Sequence, residues 1–329
     1  MTVSIIIAAK EWQKNLEECV SKCRQLDYPD FEIIVLPDVY QGSGPSADKP
    51  VFSTGESPDL RVIPTGAADP AKKRDIGFGY ARGEILAFID DDAYPRKDWL
   101  KNAIADFADP QVAAVGGPAV TPPEDSPRQK ASGAVYSSLL VSGSYVYRYR
   151  PRKKRTADDL PSCNLLVRKS VMQELGGFRT AFWPGEDTKL CQEITGKLKK
   201  KIIYDPEVFV YHHRRRLFLG HIRQVANYAL HRGYFVKRFP ATSAKLTYFL
   251  PSLLVLGIII GGVAGLFSAE LRLIYLAGLA TYLSLVLIFS IFNELQLILL
   301  VFPGIITTHL AYGIYFIKGL LAFRLREEK

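Results

Sequence analysis

Ala87-Phe88-Ile89-Asp90-Asp91-Asp92, followed by Ala93-Tyr94-Pro95, is an apolar run closed by three consecutive acids. A short apolar run bounded by turn residues reads as a buried strand, and the acids then stand at its carboxyl end. Each ionised carboxylate there repels the next and favours water, a donor or a cation. Open α/β sheets bind ligands beyond the carboxyl ends of their strands. The triplet therefore reads as a Mg2+ or Mn2+ clamp for a phosphorylated molecule, with a solvated acidic turn as the plainer alternative.

Outward from this strand the chain alternates strand and helix. Ser4–Ala9 and Phe31–Leu36 read as strands around an amphipathic helix, Asn15–Leu26. Val62–Pro64 is a short strand, Ala71–Ala81 a helix stopped by Gly83, and Glu84–Ile89 the strand that carries the acids. Trp99–Phe107 reads as a helix and Val112–Gly116 as a strand. Together these predict a doubly wound α/β sheet. Pro37–Pro58, rich in Pro, Gly and Ser, reads as a loop. Thr121–Asp159 reads as irregular.

With 329 residues, 48% of them hydrophobic, the chain is too long for one small domain, and its apolar residues are unevenly spread. Leu246–Phe267, Leu273–Phe292 and Leu295–Ile317 each approach or exceed the roughly 20 residues that cross about 30 Å of hydrocarbon. They predict a multi-pass protein of the cell membrane. The opening Met1–Ala9 is short, has no basic leader and runs into Lys10-Glu11-Trp12, so it reads as a strand rather than a signal peptide. The expectation is a cytoplasmic N-terminal domain, and Cys19, Cys23, Cys163 and Cys191, lacking zinc-type spacing, are expected as reduced thiols. The formal net charge is +9. Basic residues gather at Arg148–Arg155, Lys197–Lys201, Arg214–Arg216 and Arg223–Arg238, ahead of the first apolar stretch, which favours anionic membrane lipids and anionic substrates as partners. No base-reading module accompanies them, so nucleic acid is not expected.

Seven segments, the acidic strand among them, occur in a recognisable order. They are Val3-Ser4-Ile5-Ile6-Ile7, Phe31-Glu32-Ile33-Ile34-Val35, Lys73-Arg74-Asp75-Ile76-Gly77, the acidic strand itself, Cys163–Lys169 with Leu175-Gly176-Gly177-Phe178, Gly185-Glu186-Asp187-Thr188, and Tyr204-Asp205-Pro206-Glu207 leading to Tyr211-His212-His213. Over about residues 3 to 215 the chain resembles the family 2 glycosyltransferases of the GT-A fold, which are inverting and use nucleotide sugars. The resemblance implies that Asp90 and Asp92 form the DxD motif: Asp92 ligates the metal, and Asp90 holds ribose or metal. Asp91 is placed with the nucleotide sugar. A bound cation would assist departure of the nucleotide as a Lewis acid.

The same resemblance makes Asp187 the general base that deprotonates the acceptor hydroxyl, with Glu186 orienting the acceptor or bound to a nearby Arg or Lys. From the residues alone, the Glu186-Asp187 pair reads equally as an acidic helix start ahead of Thr188–Cys191. The resemblance also implies a histidine after the Tyr-Asp-Pro segment as a further metal ligand; adjacent residues at a strand end point to opposite faces, so only one of His212 and His213 reaches inward, and His213 is the one favoured. Ala8, Glu11 and Asp38 are implied around the base and ribose, with Arg74 near the diphosphate. The chain departs from the family pattern here: Ala8-Ala9-Lys10-Glu11 replaces Pro-x-Tyr-Asn-Glu, and a single acid, Asp38, follows the second strand. UDP, GDP and dTDP donors all stay open.

Val141–Asp159, with Tyr145, Tyr147, Tyr149 and the run Arg150–Arg155, reads as an acceptor loop or as a solvated basic loop beside a membrane. Apolar residues from Leu219 to Val236 recur at helical spacing among Arg223, His231, Arg232, Lys237 and Arg238. This fits an interfacial helix, or a core helix with one solvated face. The domains expected are residues 1–217 as the GT-A domain, 218–241 as the interfacial helix and 242–329 as the membrane region. The basic Lys318–Arg326 should face the cytoplasm, which three crossings would forbid; Pro303-Gly304 suggests a broken or re-entrant third segment. His309 is expected in a lipid-phosphate contact or a helix–helix hydrogen bond. The function expected is metal-assisted transfer of one sugar to a lipid-linked or growing-glycan acceptor. Its rivals are a polyprenyl-phosphate glycosyl synthase and a catalytically inactive GT-A-like scaffold.

Overall fold

A computed structural model of the chain describes residues 1–39, 51–52 and 58–328. Most of the loop expected over Pro37–Pro58 lies outside the described residues. In chain order the first elements are β1 (Val3–Ala8), α1 (Lys14–Cys23), β2 (Phe31–Leu36), β3 (Val51–Phe52), β4 (Asp59–Val62), α2 (Pro70–Tyr80) and β5 (Ile85–Asp90). Then come β6 (Ala93–Pro95), α3 (Trp99–Asp106), β7 (Val112–Gly116), β8 (Ala119–Val120), α4 (Pro127–Tyr136), α5 (Leu139–Ser142), β9 (Arg155–Ala157), β10 (Asn164–Arg168) and α6 (Lys169–Leu175). The last are α7 (Glu186–Gln192), β11 (Lys201–Tyr204), β12 (Val210–His212), α8 (Leu219–Arg238), α9 (Pro240–Ser243), α10 (Leu246–Phe267), α11 (Ala269–Glu294) and α12 (Ile298–Leu321).

Contacts divide the chain into two units, Met1–Val120 with Arg150–His213, and Thr121–Tyr149 with Arg214–Lys329. The first is a mixed α/β sheet in the order β3-β4-β2-β1-β5-β10-β7-β11-β9, with a small sheet β6-β12-β8. β1 pairs in parallel with β2 and β5, so Ala8 lies level with both Leu36 and Asp90. These central strands are mostly apolar because both faces are covered; Ile5, Ile6, Ile7, Ile33 and Phe88 are fully buried. β10 runs antiparallel between β5 and β7, giving the sheet its mixed character. α2 starts where Asp69 accepts the Lys72 N–H at 2.9 Å with Pro70 in the first turn, a strong start signal.

At the amino ends of the strands a buried carboxylate ties four segments together. Glu32 accepts from the Ser4 hydroxyl at 2.6 Å, from the Arg82 N–H at 2.6 Å and Nε at 2.9 Å, and from Arg61. Gly83 is required beside it, since a Cβ there would come within 2.5 Å of the Ser4 backbone nitrogen. All four cysteines are free and buried.

The second unit is helical, and it contains part of the stretch read as irregular. α4 opens with a capping box between Ser126 and Gln129 and has Pro127 in its first turn. Its residues Ala131–Tyr136 are buried on every side, so no apolar stripe marks the helix in the sequence. Val135 packs with Leu217, Val301 and Ile305, so residues 121–149 group with these helices and not with the sheet, unlike the expected 1–217 domain. The basic loop is also more ordered than expected: residues 143–148 form a 3-10 turn, and β9 pairs with β11 at the edge of the sheet.

Among the described residues, three helices are long and apolar enough to cross a membrane, Leu246–Phe267, Ala269–Phe292 and Leu295–Glu328. Pro303 does not break the third; it sits inside a continuous α12. α8 buries Val225, Ala229, Gly233 and Tyr234, and its backbone approaches that of α12 closely. A Cβ on Gly233 would meet the Phe316 carbonyl oxygen at 2.2 Å, and one on Gly319 the Leu230 carbonyl at 1.9 Å. His309 accepts or donates to Tyr282 at 3.0 Å and lies 3.1 Å from the Leu140 carbonyl, so it makes hydrogen bonds between helices.

Candidate active site

The acids of β5 open into the first unit at the edge where β1 and β2 also end. Asp92 Oδ1 lies 2.9 Å from His212 Nε2. Ligand atoms of Asp90, Asp92 and His212 all lie within 4.8 Å of one another. What brings His212 here is the small sheet: β12 pairs with β6 so that His212 faces Ala93, and the His213 N–H donates to the Asp92 carbonyl at 2.9 Å. The alternation of a strand then turns His213 away. His213 Nε2 lies 3.1 Å from Glu18 Oε2, its ring 5.7 Å from that of Tyr94. His212, rather than the expected His213, is the histidine that stands beside Asp90 and Asp92.

Two carboxylates and one imidazole are donors suited to Mn2+, and without the imidazole to Mg2+. Crowding at the site points the same way. Burial first, then the charges of Asp92 and Asp90, push the Asp91 carboxyl up to about 7, only partly offset by its own backbone N–H and Gln13. Positive charge at this spot relieves that repulsion.

Arg74, projecting from α2, joins the acids of β5 to the Glu186-Asp187 pair. Its Nη2 lies 2.7 Å from Asp90 Oδ1 and its Nη1 2.7 Å from Glu186 Oε1, with side-chain exposures of 3% for Arg74 and 5% for Glu186. Burial opposes the guanidinium charge, but Asp90, Glu186 and Asp187 outweigh it and hold Arg74 more firmly protonated than usual. Glu186 also accepts the Gly185 N–H at 3.0 Å. Gly185 has φ +124°, a conformation glycine adopts without strain.

Asp187 is half-buried in the first turn of α7. One carboxylate oxygen accepts the Thr188 N–H at 2.7 Å and the other the Ser162 N–H at 3.3 Å. It is thus an acid of the helix start, as one reading of the sequence expected, with its carboxylate held by two backbone N–H groups.

Of the residues expected around the nucleotide, Ala8, Asp38 and Asp90 stand at the same sheet edge. Glu11 is exposed just beyond β1. Asp38 is paired with Lys73, a buried lysine that also donates to the Leu36 carbonyl at 3.3 Å and to that of Ala9. Lys73 is a residue of this edge that sequence reasoning passed over, and His212 one that it placed second to His213. Lys73 had a signal, as the neighbour of Arg74 in a segment already singled out.

The family model "Glycosyl transferase family 2" matches residues 4–176. A pre-mycofactocin glycosyltransferase of Mycobacterium tuberculosis is 27% identical over 245 residues, 74% of this chain and 49% of that protein. The chain thus spans about half the length of that relative. A dolichyl N-acetyl-alpha-D-glucosaminyl phosphate 3-beta-D-2,3-diacetamido-2,3-dideoxy-beta-D-glucuronosyltransferase of Methanococcus voltae is 22% identical, covering 72% of this chain and 74% of its own. Among solved structures, a mannosyltransferase from Pyrobaculum calidifontis in complex with GDP-Man and Mn2+ superposes with a TM-score of 0.64 at 20% identity, over 98% of this chain and 88% of that one. It supports the GT-A fold.

Proposed function

The chain belongs to glycosyl transferase family 2, and on that premise we propose that it moves one sugar from a nucleotide-sugar donor to a lipid-linked or growing-glycan acceptor, with inversion at the anomeric carbon. The observation that carries this reading is the span of Arg74, 2.7 Å from both Asp90 and Glu186, which gathers the acid triplet and the Glu186-Asp187 pair into one site. Asp90, Asp92 and His212 would hold Mn2+ or Mg2+, which when bound neutralises charge developing on the departing diphosphate. Asp90 and Asp91, with Ala8 and Asp38 along the same edge, face the ribose and base. Glu11 lies at its margin.

Asp187 takes the proton of the acceptor hydroxyl. The freed oxygen pair forms the new bond to the anomeric carbon from the face opposite the nucleotide, and the old carbon–oxygen bond breaks with its electrons going to the nucleoside diphosphate. The Thr188 and Ser162 N–H groups fix the Asp187 carboxylate at both oxygens, so its orientation is set before the acceptor arrives. Glu186, engaged with Arg74, is a positioning residue.

The membrane arrangement we propose has two crossings, α10 and α11. α8 leads through α9 to Lys245 at the start of α10. Residues beyond α12 bond back to the end of α8: Arg238 lies 2.5 Å from Glu328, and Lys237 donates to the Ala322 carbonyl at 2.5 Å. In this arrangement α12 lies along α8 instead of crossing, and two crossings would leave Lys318–Arg326 and the catalytic unit facing the cytoplasm, as the charge rule favours. α8 and α12 would lie together at the membrane surface. An acceptor carried on a lipid suits such a placement, as does the relative named for a dolichyl-linked substrate.

The deciding experiment is donor hydrolysis and transfer by the purified chain over a panel of nucleotide sugars, with and without Mn2+. Asp187→Asn should keep donor binding and lose transfer by ~10²–10⁴-fold; unchanged turnover removes the assignment of the base. Asp92→Ala should weaken Mn2+-dependent donor binding, and undiminished affinity removes the clamp.

A further inference from the structure

Lys73 is a buried cation one residue before Arg74 in α2, and the transfer chemistry proposed above leaves it without a task. Its side chain is 3% exposed. Burying an ammonium costs free energy unless each N–H finds an acceptor, and Lys73 meets three: the Ala9 carbonyl, the Leu36 carbonyl at 3.3 Å, and Asp38 Oδ1. The two carbonyls stand at or just past the carboxyl ends of β1 and β2. With its three donors engaged, the ammonium has none left for a ligand.

Asp38 is fixed through its backbone as well. Its N–H donates to the Lys10 carbonyl and its carbonyl accepts the Gly66 N–H, both at 3.0 Å. Among the described residues only Lys73 bonds to its carboxylate, and the side chain is 21% exposed. One oxygen is therefore committed, and the other, Oδ2, is open to a ligand.

The number of open acceptors matters because bases differ in the donors on their pairing edge. Guanine presents two adjacent N–H groups, at N1 and N2, and pairing both takes both oxygens of a carboxylate. Uracil and thymine present one ring N–H, at N3 between two carbonyls, and one oxygen satisfies it. Cytosine and adenine present a bare ring nitrogen, whose lone pair faces an oxygen that can only accept.

We infer that Lys73 determines base specificity: by holding Asp38 Oδ1 it leaves a single acceptor, which selects a uracil or thymine nucleotide over those of guanine, cytosine and adenine. The inference rests on the reading above that Asp38 faces the base, and it narrows the donor to a pyrimidine with a ring N–H. Lys73 acts through Asp38 and is a positioning residue.

The test is equilibrium binding of UDP, dTDP, GDP, CDP and ADP to the full chain in detergent with Mn2+ present. UDP, dTDP or both should bind about 10- to 100-fold more tightly than CDP, the worth of one hydrogen bond to a charged group, and GDP should also rank below them. Two variants separate positioning from mere support of the fold. Lys73→Met frees Oδ1, so GDP should gain about tenfold relative to UDP. Asp38→Asn keeps its amide oxygen on Lys73, since an ammonium cannot accept, and presents its NH2 group where Oδ2 stood. UDP should then weaken, and CDP, with its bare N3, should overtake it. A lysine that only tied β1 to β2 would weaken all five nucleotides alike in Lys73→Met and leave their order unchanged. Circular dichroism and thermal unfolding report whether each variant folds; if one does not, the unaltered chain and the other variant decide. GDP, CDP or ADP binding tightest to the unaltered chain, or an unchanged order in a folded variant, overturns the inference. Binding of none of the five removes the transferase reading and the inference with it, whereas tight binding without base preference removes the inference alone.

Discussion

Arg74→Met is the most informative single perturbation of the site. The arginine is 3% exposed and holds two carboxylates at 2.7 Å, of which Glu186 is 5% exposed and Asp90 31%. Removing it leaves Glu186 as a buried charge without its cation, a change that costs about 3–5 kcal/mol. Asp90, better hydrated, adds less. For a unit of this size each kcal/mol moves the unfolding midpoint by about 2–4 °C, so the expected drop is about 6–20 °C. Because the unfolding of a two-unit chain is not two-state, the comparison that matters is relative. Arg74→Met with Glu186→Gln removes the stranded charge as well and should recover part of the loss, a non-additivity that reports the pair directly. Differential scanning calorimetry of the three variants in detergent, with Mn2+ affinity measured in parallel, makes the comparison. A fall of less than about 2 °C for Arg74→Met, or a double variant no more stable than the single one, would show that the bridge does not hold the two halves of the site together.

Further outcomes follow from other contacts. His212→Ala should weaken Mn2+ binding by more than the ~10-fold that outer partners of a metal site are worth, while His213→Ala should fall short of that; isothermal titration with Mn2+ decides, and the reverse order would reinstate His213. Burial raises the Glu32 carboxyl, but Ser4, the Arg82 N–H and the charges of Arg61 and Arg82 outweigh it and hold it below its ordinary 4.5. Its stabilisation is thus present above that ordinary value and lost as pH falls through the lowered one. Glu32→Gln should be less stable than the unaltered chain at neutral pH yet lose less on acidification; parallel melting curves across pH would contradict this. Gly233→Leu should force α8 from α12, where a Cβ already meets the Phe316 carbonyl at 2.2 Å, costing at least the ~1–3 kcal/mol of overpacking. A melting midpoint equal to that of the unaltered chain would refute the close approach.

Much of the first unit was legible because its signals are local. The predominantly apolar runs of β1, β2 and β5 point to a sheet covered on both faces, and each lies within a residue or two of its expected bounds. α4 was not legible, since a helix buried on all sides carries no stripe and Ala-Ser-Gly-Ala has no strong pattern. The Pro303 break was misread because a proline early in a helix removes one backbone bond while packing around it keeps the helix continuous. α8 was legible as amphipathic, but its partner was not: the contact depends on glycines in two helices far apart in the chain.

Composition and spacing pointed to a doubly wound sheet with acids at a strand end and to apolar helices able to enter a membrane, and resemblance in the order of segments pointed to the family. Tertiary structure decided which histidine meets Asp92, that Arg74 couples Asp90 to Glu186, that Lys73 holds Asp38, and which helix covers α8. The physical reason is range. Periodicity and turn chemistry act over a few residues, and a chain displays them along its length. A charge pair across 112 residues exists only once strand order and register have set two side chains face to face.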